Sequence, residues 1–268
     1  MKFNRPFSGQ YKLLFKIFQI VVSLGPVWCV KINKLQVPAV AHPGRPILLD
    51  CDYALEDSNE VDLVVKWFFN DLRIPVYQWI PNHHKKPQVL GILKGRLNLN
   101  YSASKDVHTQ HRALHIIQPG PDLSGNYTCQ VSTYLNEDRK TKTMLVPVPE
   151  KSLELSQANT GDGTLQVICY AEGVFPKPNM SLLMGNSEVN NSVVSVEMTN
   201  GGLYDIKAVA EVPSLIAPEE FGCELNIPQA NYTVSKRAMY YPVNAANSIN
   251  PFAIMDLFIF MILFFFIG

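Results

Sequence analysis

From residue 47 to residue 53 apolar and polar side chains take turns. Ile47, Leu49, Cys51 and Tyr53 share one parity, and Asp50 and Asp52 lie between them with Leu48. A period of two is that of a strand with one buried face. Further strand-like runs stand at Val64-Val65-Lys66-Trp67-Phe68 and, alternating again, at Leu114-His115-Ile116. Beyond residue 150 the same beat returns in Leu165, Val167, Cys169 and Ala171, and in Tyr204, Ile206, Ala208 and Ala210. Turn residues separate these runs and helical periodicity is scarce, so the pattern predicts an all-β fold of many short strands. One seam interrupts it, Val146-Pro147-Val148-Pro149. Two prolines at alternate positions make a short, stiff, extended connector.

The ends have another character. A basic segment (Lys2, Arg5, Lys12, Lys16) precedes the apolar run Ile17 to Leu24, and small or permissive residues follow. That order predicts a signal peptide over 1–29, cleaved near Cys29. The alternative is an uncleaved anchor, for which the run is short of the ~20 residues of a span. At the other end Leu257 to Gly268 is almost wholly Phe, Ile, Leu and Met, with no Lys or Arg after it. The small residues Asn244-Ala245-Ala246-Asn247-Ser248 and a spacer to Asp256 precede it. Small residues, spacer and terminal apolar tail are the layout of a glycosylphosphatidylinositol signal; a short transmembrane helix is the alternative. The organisation expected is therefore a leader at 1–29, a first module at 30–147, a second at 148–241 and an anchor segment at 242–268.

Composition narrows the function. The 23 bases and 23 acids balance over 268 residues, but Lys2, Arg5, Lys12 and Lys16 lie in the leader, which holds no acid. The body is thus mildly acidic, which argues against a nucleic-acid binder. Losing Cys29 leaves Cys51, Cys129, Cys169 and Cys223, an even set suited to an oxidising compartment.

Cys51, the Trp67 after it and the stretch Asp122-Leu123-Ser124-Gly125-Asn126-Tyr127-Thr128-Cys129 resemble the immunoglobulin domain. The resemblance implies two face-to-face sheets bridged by Cys51–Cys129, Trp67 packed on that bridge, and Tyr127 tying a corner to backbone. The long interval between these cysteines suits the variable type, in which Arg96 pairs with Asp122. The second module looks like a degraded copy with a shorter, constant-like interval between Cys169 and Cys223. There Leu182 takes the place of Trp and Phe221 that of the corner Tyr. The fold class expected is all-β, two immunoglobulin-like β-sandwiches, with Trp67, Tyr127, Leu182 and Phe221 as core. A finer likeness lies in Val65-Lys66-Trp67-Phe68-Phe69 and Pro75-Val76-Tyr77-Gln78-Trp79-Ile80-Pro81, which resemble the C–C′ stretch of the arthropod beaten-path family. That family implies two immunoglobulin domains, a signal peptide, partners of the sidestep family and a role in axon guidance.

No nucleophile elbow, metalloprotease motif or glycine-rich phosphate loop occurs, so no enzyme and no cofactor are expected. His108, His111 and His115 would gather on a helix, but they run into a strand on which Leu114 and Ile116 face inward, so no metal site is expected. His83-His84-Lys85-Lys86 reads as a solvated turn or a charged contact rim. Five Asn-x-Ser/Thr acceptors, Asn100, Asn126, Asn179, Asn190 and Asn231, are surface positions open to glycosylation in a secreted chain. Asn126 lies in a corner turn and looks crowded; Asn190 looks the most accessible.

There remains the outer face of the first module's front sheet. With Trp67 and Cys129 inward, Lys66, Phe68, Thr128, Gln130 and Ser132 point out, and Tyr134 continues that face. Tyr77 and Trp79 share a face, and the reading adopted puts them outward. Phe68, Tyr77, Trp79, Gln130 and Tyr134 would then form a partner-binding patch, since exposed Trp and Tyr dominate hot spots. The alternative places these aromatics in the core or under the C″ loop, because nothing local sets the parity of so short a strand. The function expected is cell-surface recognition or adhesion, binding another extracellular protein through the first module without turnover. The rival reading is a pattern receptor or soluble decoy for carbohydrate or microbial ligands.

Overall fold

The computed structural model describes residues 30–55, 62–83, 86–134 and 136–242. The expected leader at 1–29, the His84-Lys85 pair and the anchor segment from residue 243 lie outside the described residues. The chain divides into two compact units, Met1–Val146 and Pro147–Gly268.

The first unit contains β1 (Val30–Gln36), β2 (Ile47–Leu55), β3 (Val64–Phe69), β4 (Tyr77–Trp79), β5 (Gln88–Val89), β6 (Leu114–Ile116), β7 (Gly125–Ser132) and β8 (Glu137–Met144). One sheet has the order β1-β2-β6, the other β5-β4-β3-β7-β8. After β1 the chain changes sheets. Pro38 has no N–H to give a ladder, which favours a break there. Beyond it Ala41 N–H reaches the Leu145 carbonyl (2.8 Å) and Leu145 N–H the Ala39 carbonyl (2.9 Å), a parallel bridge to the end of β8. The second unit contains β9 (Ser152–Asn159), β10 (Thr164–Val174), β11 (Asn179–Met184), β12 (Ser187–Glu188), β13 (Val193–Met198), β14 (Tyr204–Pro213), β15 (Glu219–Ile227) and β16 (Tyr232–Tyr240). Its sheets run β13-β14-β10-β9 and β12-β11-β15-β16. All pairings within these sheets are antiparallel.

Each sandwich is crossed by one disulfide, Cys51–Cys129 (sequence separation 78) and Cys169–Cys223 (separation 54). Loops of these sizes stabilise by about 4 kcal/mol in the chain-entropy account. Beside each bridge the register places one large residue: Trp67 opposite Cys129, and Leu182 opposite Cys223. Two residues before the second cysteine stand Tyr127 and Phe221, and all four side chains are fully buried. The Tyr127 hydroxyl donates to the Leu123 carbonyl at 2.9 Å. Arg96 and Asp122 form an ion pair at 2.6 Å. Gly125, which begins β7, lies so near Asn70 that any Cβ would collide with its amide; this close approach lets Asn70 Oδ1 accept the Asn126 N–H at 2.8 Å.

Candidate interaction surface

In the five-stranded sheet, residues paired across the ladder share a face, and Trp67 and Cys129 define the inner one. The outer face therefore carries a row that crosses every strand: Gln88 on β5, Gln78 on β4, Lys66 on β3, Gln130 on β7 and Arg139 on β8. All five are polar and at least partly exposed. Gln130 Nε2 donates to Glu137 Oε2 at 2.9 Å, and Arg139 pairs with Glu137. In the next row, Phe68, Thr128 and Thr141, the first two are closed: Phe68 is 5% exposed and Thr128 is buried, while Thr141 is exposed and the two threonine hydroxyls bond each other at 2.7 Å. Tyr134 stands in the turn between β7 and β8 with 85% of its surface exposed.

The expected aromatic patch is therefore corrected. Tyr77 and Trp79 are each 2% exposed and belong to the core of the sandwich; Phe68, although outward in register, is covered. Of the five residues expected to form it, Gln130 and Tyr134 alone are open to solvent. The physical reason is the long segment between Asn98 and Ala113. It feeds backbone carbonyls to three inward rings from three strands: Tyr53 Oη donates to the His108 carbonyl, Tyr77 Oη to that of His111 (2.6 Å) and Trp67 Nε1 to that of Arg112 (3.1 Å). The Trp79 ring meets the His111 ring edge-on, with centroids 5.4 Å apart. Burying a hydroxyl or indole N–H costs little once an acceptor is supplied, and this segment supplies the acceptors that make the inward parity favourable. Burial raises the pKa of Tyr53, Tyr77 and Tyr127 well above the ordinary range, so all three keep the proton they donate. From the other side, Arg112 binds Asp50 through Nε (2.9 Å) and Nη2 (3.0 Å), and Asp52 through Nη1.

The three histidines are spread along this segment. The His108 and His111 carbonyls take the tyrosine bonds, while His115 on β6 lies within 3.2 Å of Asn98 Nδ2 and packs on Tyr101. Among the described residues no three His, Cys, Asp or Glu side chains gather as a metal set. Asn100, Asn126, Asn179, Asn190 and Asn231 are all exposed. Asn126 lies within β7 rather than in the corner turn, on the outer face, where Thr143 Oγ1 donates to its Oδ1 at 2.6 Å. The polar row was within reach of sequence reading at Lys66 and Gln130. The aromatic ties to residues 108–112 left no signal in the sequence, because they join positions 34 to 55 residues apart.

Comparison with known proteins agrees with this geometry. Residues 29–153 match the family model described as the CD47 immunoglobulin-like domain. Human butyrophilin-like protein 2 is 21% identical over 200 residues, covering 74% of this chain and 40% of that protein, so the chain spans well under half of that relative. The crystal structure of bovine butyrophilin superposes with a TM-score of 0.63 at 15% identity, over 81% of this chain and all of that one. A chain from the complex of ICOS with ICOS-L and an anti-ICOS-L VNAR domain gives 0.60 at 17% identity, over 75% and 97% of the two chains. Two disulfide-bridged sandwiches of this topology define a tandem immunoglobulin-like protein. Residues 29–153 are thus similar to the CD47 type of immunoglobulin-like domain, and the two-sandwich fold is similar to that of butyrophilin. Among the described residues no helix is long and apolar enough to cross a membrane.

Proposed function

We propose that the protein is a non-enzymatic cell-surface recognition molecule that binds another extracellular protein through the outer face of its first domain. The observation that carries this reading is the polar row Gln88–Gln78–Lys66–Gln130–Arg139, partly or fully exposed across all five strands, with the exposed Tyr134 in the turn after β7. A sheet face with amide and charged groups in register, and one large exposed aromatic in the turn after β7, suits a polar, hydrogen-bonding protein interface. The fold is similar to that of a chain from a complex of ICOS with ICOS-L, in which one protein binds another. The second domain serves as a spacer. The apolar C-terminus would be exchanged for a lipid anchor, tethering both domains outside the cell. The C–C′ likeness to the beaten-path family extends the reading to a sidestep-like partner in axon guidance or synaptic partner choice, on that stretch alone.

Screening the ectodomain against a panel of surface ectodomains is the test. One or a few protein partners are expected, with Tyr134→Ala weakening binding by about tenfold or more and Lys66→Glu doing so in a salt-dependent way. Unchanged affinity in both variants would remove the front sheet from the interface. Binding to glycan arrays with no protein partner would favour the pattern-receptor reading. Release from cells by a phosphatidylinositol-specific phospholipase supports the anchor, and full retention rejects it.

A further inference from the structure

The second domain has one unfinished side. Its two sheets end there in β12 and β13. β12 is two residues long and β13 six, so the edge strand β12 is too short to run the length of β13. Register pairs Val194 with Ala208, Val196 with Ile206 and Met198 with Tyr204. Ala208 and Ile206 are buried in the core, so Val194, Val196 and Met198 turn the same way. Val196 packs against the core, but Val194 remains 44% and Met198 67% exposed. Val193, on the other face, is exposed as well, and Glu197 is the strand's one charge. An edge strand that is apolar and nearly uncharged is a template for pairing with another chain, and natural proteins cover or charge such edges.

Among the described residues the chain crosses this side between β12 and β13. From β12 it passes through Val189–Ser192 into β13, and the turn is closed by the Ser192 N–H on the Val189 carbonyl at 3.3 Å. Val189 in turn donates to the Leu182 carbonyl at 2.9 Å, which pins the start of the crossing to the core strand β11. Asn190 stands exposed on this turn, and Asn190-Asn191-Ser192 is a glycosylation acceptor. Val194 is four residues further on, so at most ~14 Å of backbone separates it from the attachment point. The acceptor therefore sits on the rim of the open apolar side, and a bulky, hydrated substituent there has that side within reach.

We propose that Asn190 carries an N-linked oligosaccharide whose core sugars lie over β13 and keep this edge from pairing with a second chain. The proposal rests on the extracellular reading above, since only a chain that enters the secretory route meets the transferase. In the step itself the Asn190 amide nitrogen forms a bond to C1 of the first sugar and gives up a proton. The bond from C1 to a polyisoprenyl-diphosphate donor breaks, and the lipid diphosphate leaves.

The full chain, made in eukaryotic secretory cells and purified in mild detergent, provides the test. Peptide mapping after enzymatic release of glycans in heavy-oxygen water is expected to find Asn190 converted to labelled Asp. Asn190→Gln and Ser192→Ala both delete the acceptor; Ser192→Thr keeps it. By size-exclusion light scattering the two deletions are expected to raise the oligomeric fraction several-fold over wild type, and Ser192→Thr to leave it unchanged. Adding Val194→Lys to Asn190→Gln is expected to restore the wild-type profile by charging the edge. Two results would overturn the proposal: an unmodified Asn190 beside other occupied acceptors, or deletion variants that associate no more than wild type. If all five acceptors are bare, the extracellular reading falls together with it; if Asn190 alone is bare, that reading stands.

Discussion

Beside the first disulfide stands Trp67, beside the second Leu182; before the closing cysteines stand Tyr127 and Phe221. The positions are equivalent, the burial is complete in all four, and the difference is a polar tip. In the first domain each tip has somewhere to go: the Trp67 indole reaches the Arg112 carbonyl and the Tyr127 hydroxyl that of Leu123. The first domain has a long segment to secure, Asn98 to Ala113, which runs where a regular strand would close the back sheet; a single bridge, Leu97 to Ile116, is what remains of that strand. The second domain closes the same side with β13, and its turn into β14 is short, bonded by Thr199 N–H to the Leu203 carbonyl at 2.8 Å. With no long segment to hold, an apolar Leu182 suffices beside the second disulfide; the Tyr127 tip serves its own corner at Leu123 instead. The edges differ in the same sense. β8 carries Glu137, Asp138, Arg139, Lys140 and Lys142, whereas β13 carries Glu197 alone.

The largest effects belong to the residues on the disulfides. Trp67→Ala is expected to cost about 3–5 kcal/mol and Leu182→Ala about 2–5 kcal/mol, read from the denaturation transition of the domain concerned. Their consequences differ in kind. Trp67→Ala also frees the Arg112 carbonyl, so limited proteolysis of the native protein should begin to cut between residues 98 and 113, while Leu182→Ala leaves that segment protected. Trp67→Phe sharpens the point, since it keeps an aromatic ring and removes the N–H; a loss of about 1–3 kcal/mol is expected. A neutral Trp67→Phe would break the comparison, because the polar tip would then be idle.

Smaller and opposite in logic is the corner pair. Tyr127→Phe removes one buried hydrogen bond and is expected to cost about 1 kcal/mol. Phe221→Tyr would add a hydroxyl at a fully buried position that carries none now. Unless the site relaxes, that change costs about 1–3 kcal/mol as well. Both substitutions lowering the denaturation midpoint would establish that each residue matches its own domain. A stabilising Phe221→Tyr would mean that the second corner retains an unused acceptor.

Most of the architecture was legible because disulfide, Trp and Tyr lie at spacings that the sandwich requires. The interval from each cysteine pointed to Leu182 and Phe221 even without the aromatic side chains expected there. The parity of β4 was not legible. Tyr77-Gln78-Trp79 is a three-residue strand in which either face reads as plausible, and local alternation cannot choose between them. The choice was made by carbonyls that arrive from residues 108–112, and a polar tip is buried willingly only when its acceptor is in place. Trp79 shows the limit of that rule: its Nε1 is buried without a partner, so its inward position rests on ring packing against His111 and the core. Gln130 and Lys66 were legible as outward, but their alignment with Gln78, Gln88 and Arg139 needed the register of four ladders.

The smallest effect tests how the long segment responds to acid. Loss of solvation lowers the His111 pKa, and the nearby Lys86 charge acts in the same direction; a backbone hydrogen bond with Tyr101 opposes them. The folded state thus prefers the neutral ring more than the unfolded chain does. A histidine with a depressed folded pKa contributes stability that is fully present above its ordinary value of 6.5 and is lost as the pH falls below it. Acidifying from about pH 7.5 to about pH 5.5 should therefore lower the first domain's denaturation midpoint slightly more in wild type than in His111→Gln. The second domain has no such ring to protonate: all six histidines of the chain precede residue 147. Its midpoint should be nearly flat over that interval, because the group there with a clearly depressed pKa, Asp162 at about 2, titrates far below it. An equal acid response in wild type and His111→Gln would mean that protonation of this ring does not loosen the segment's grip.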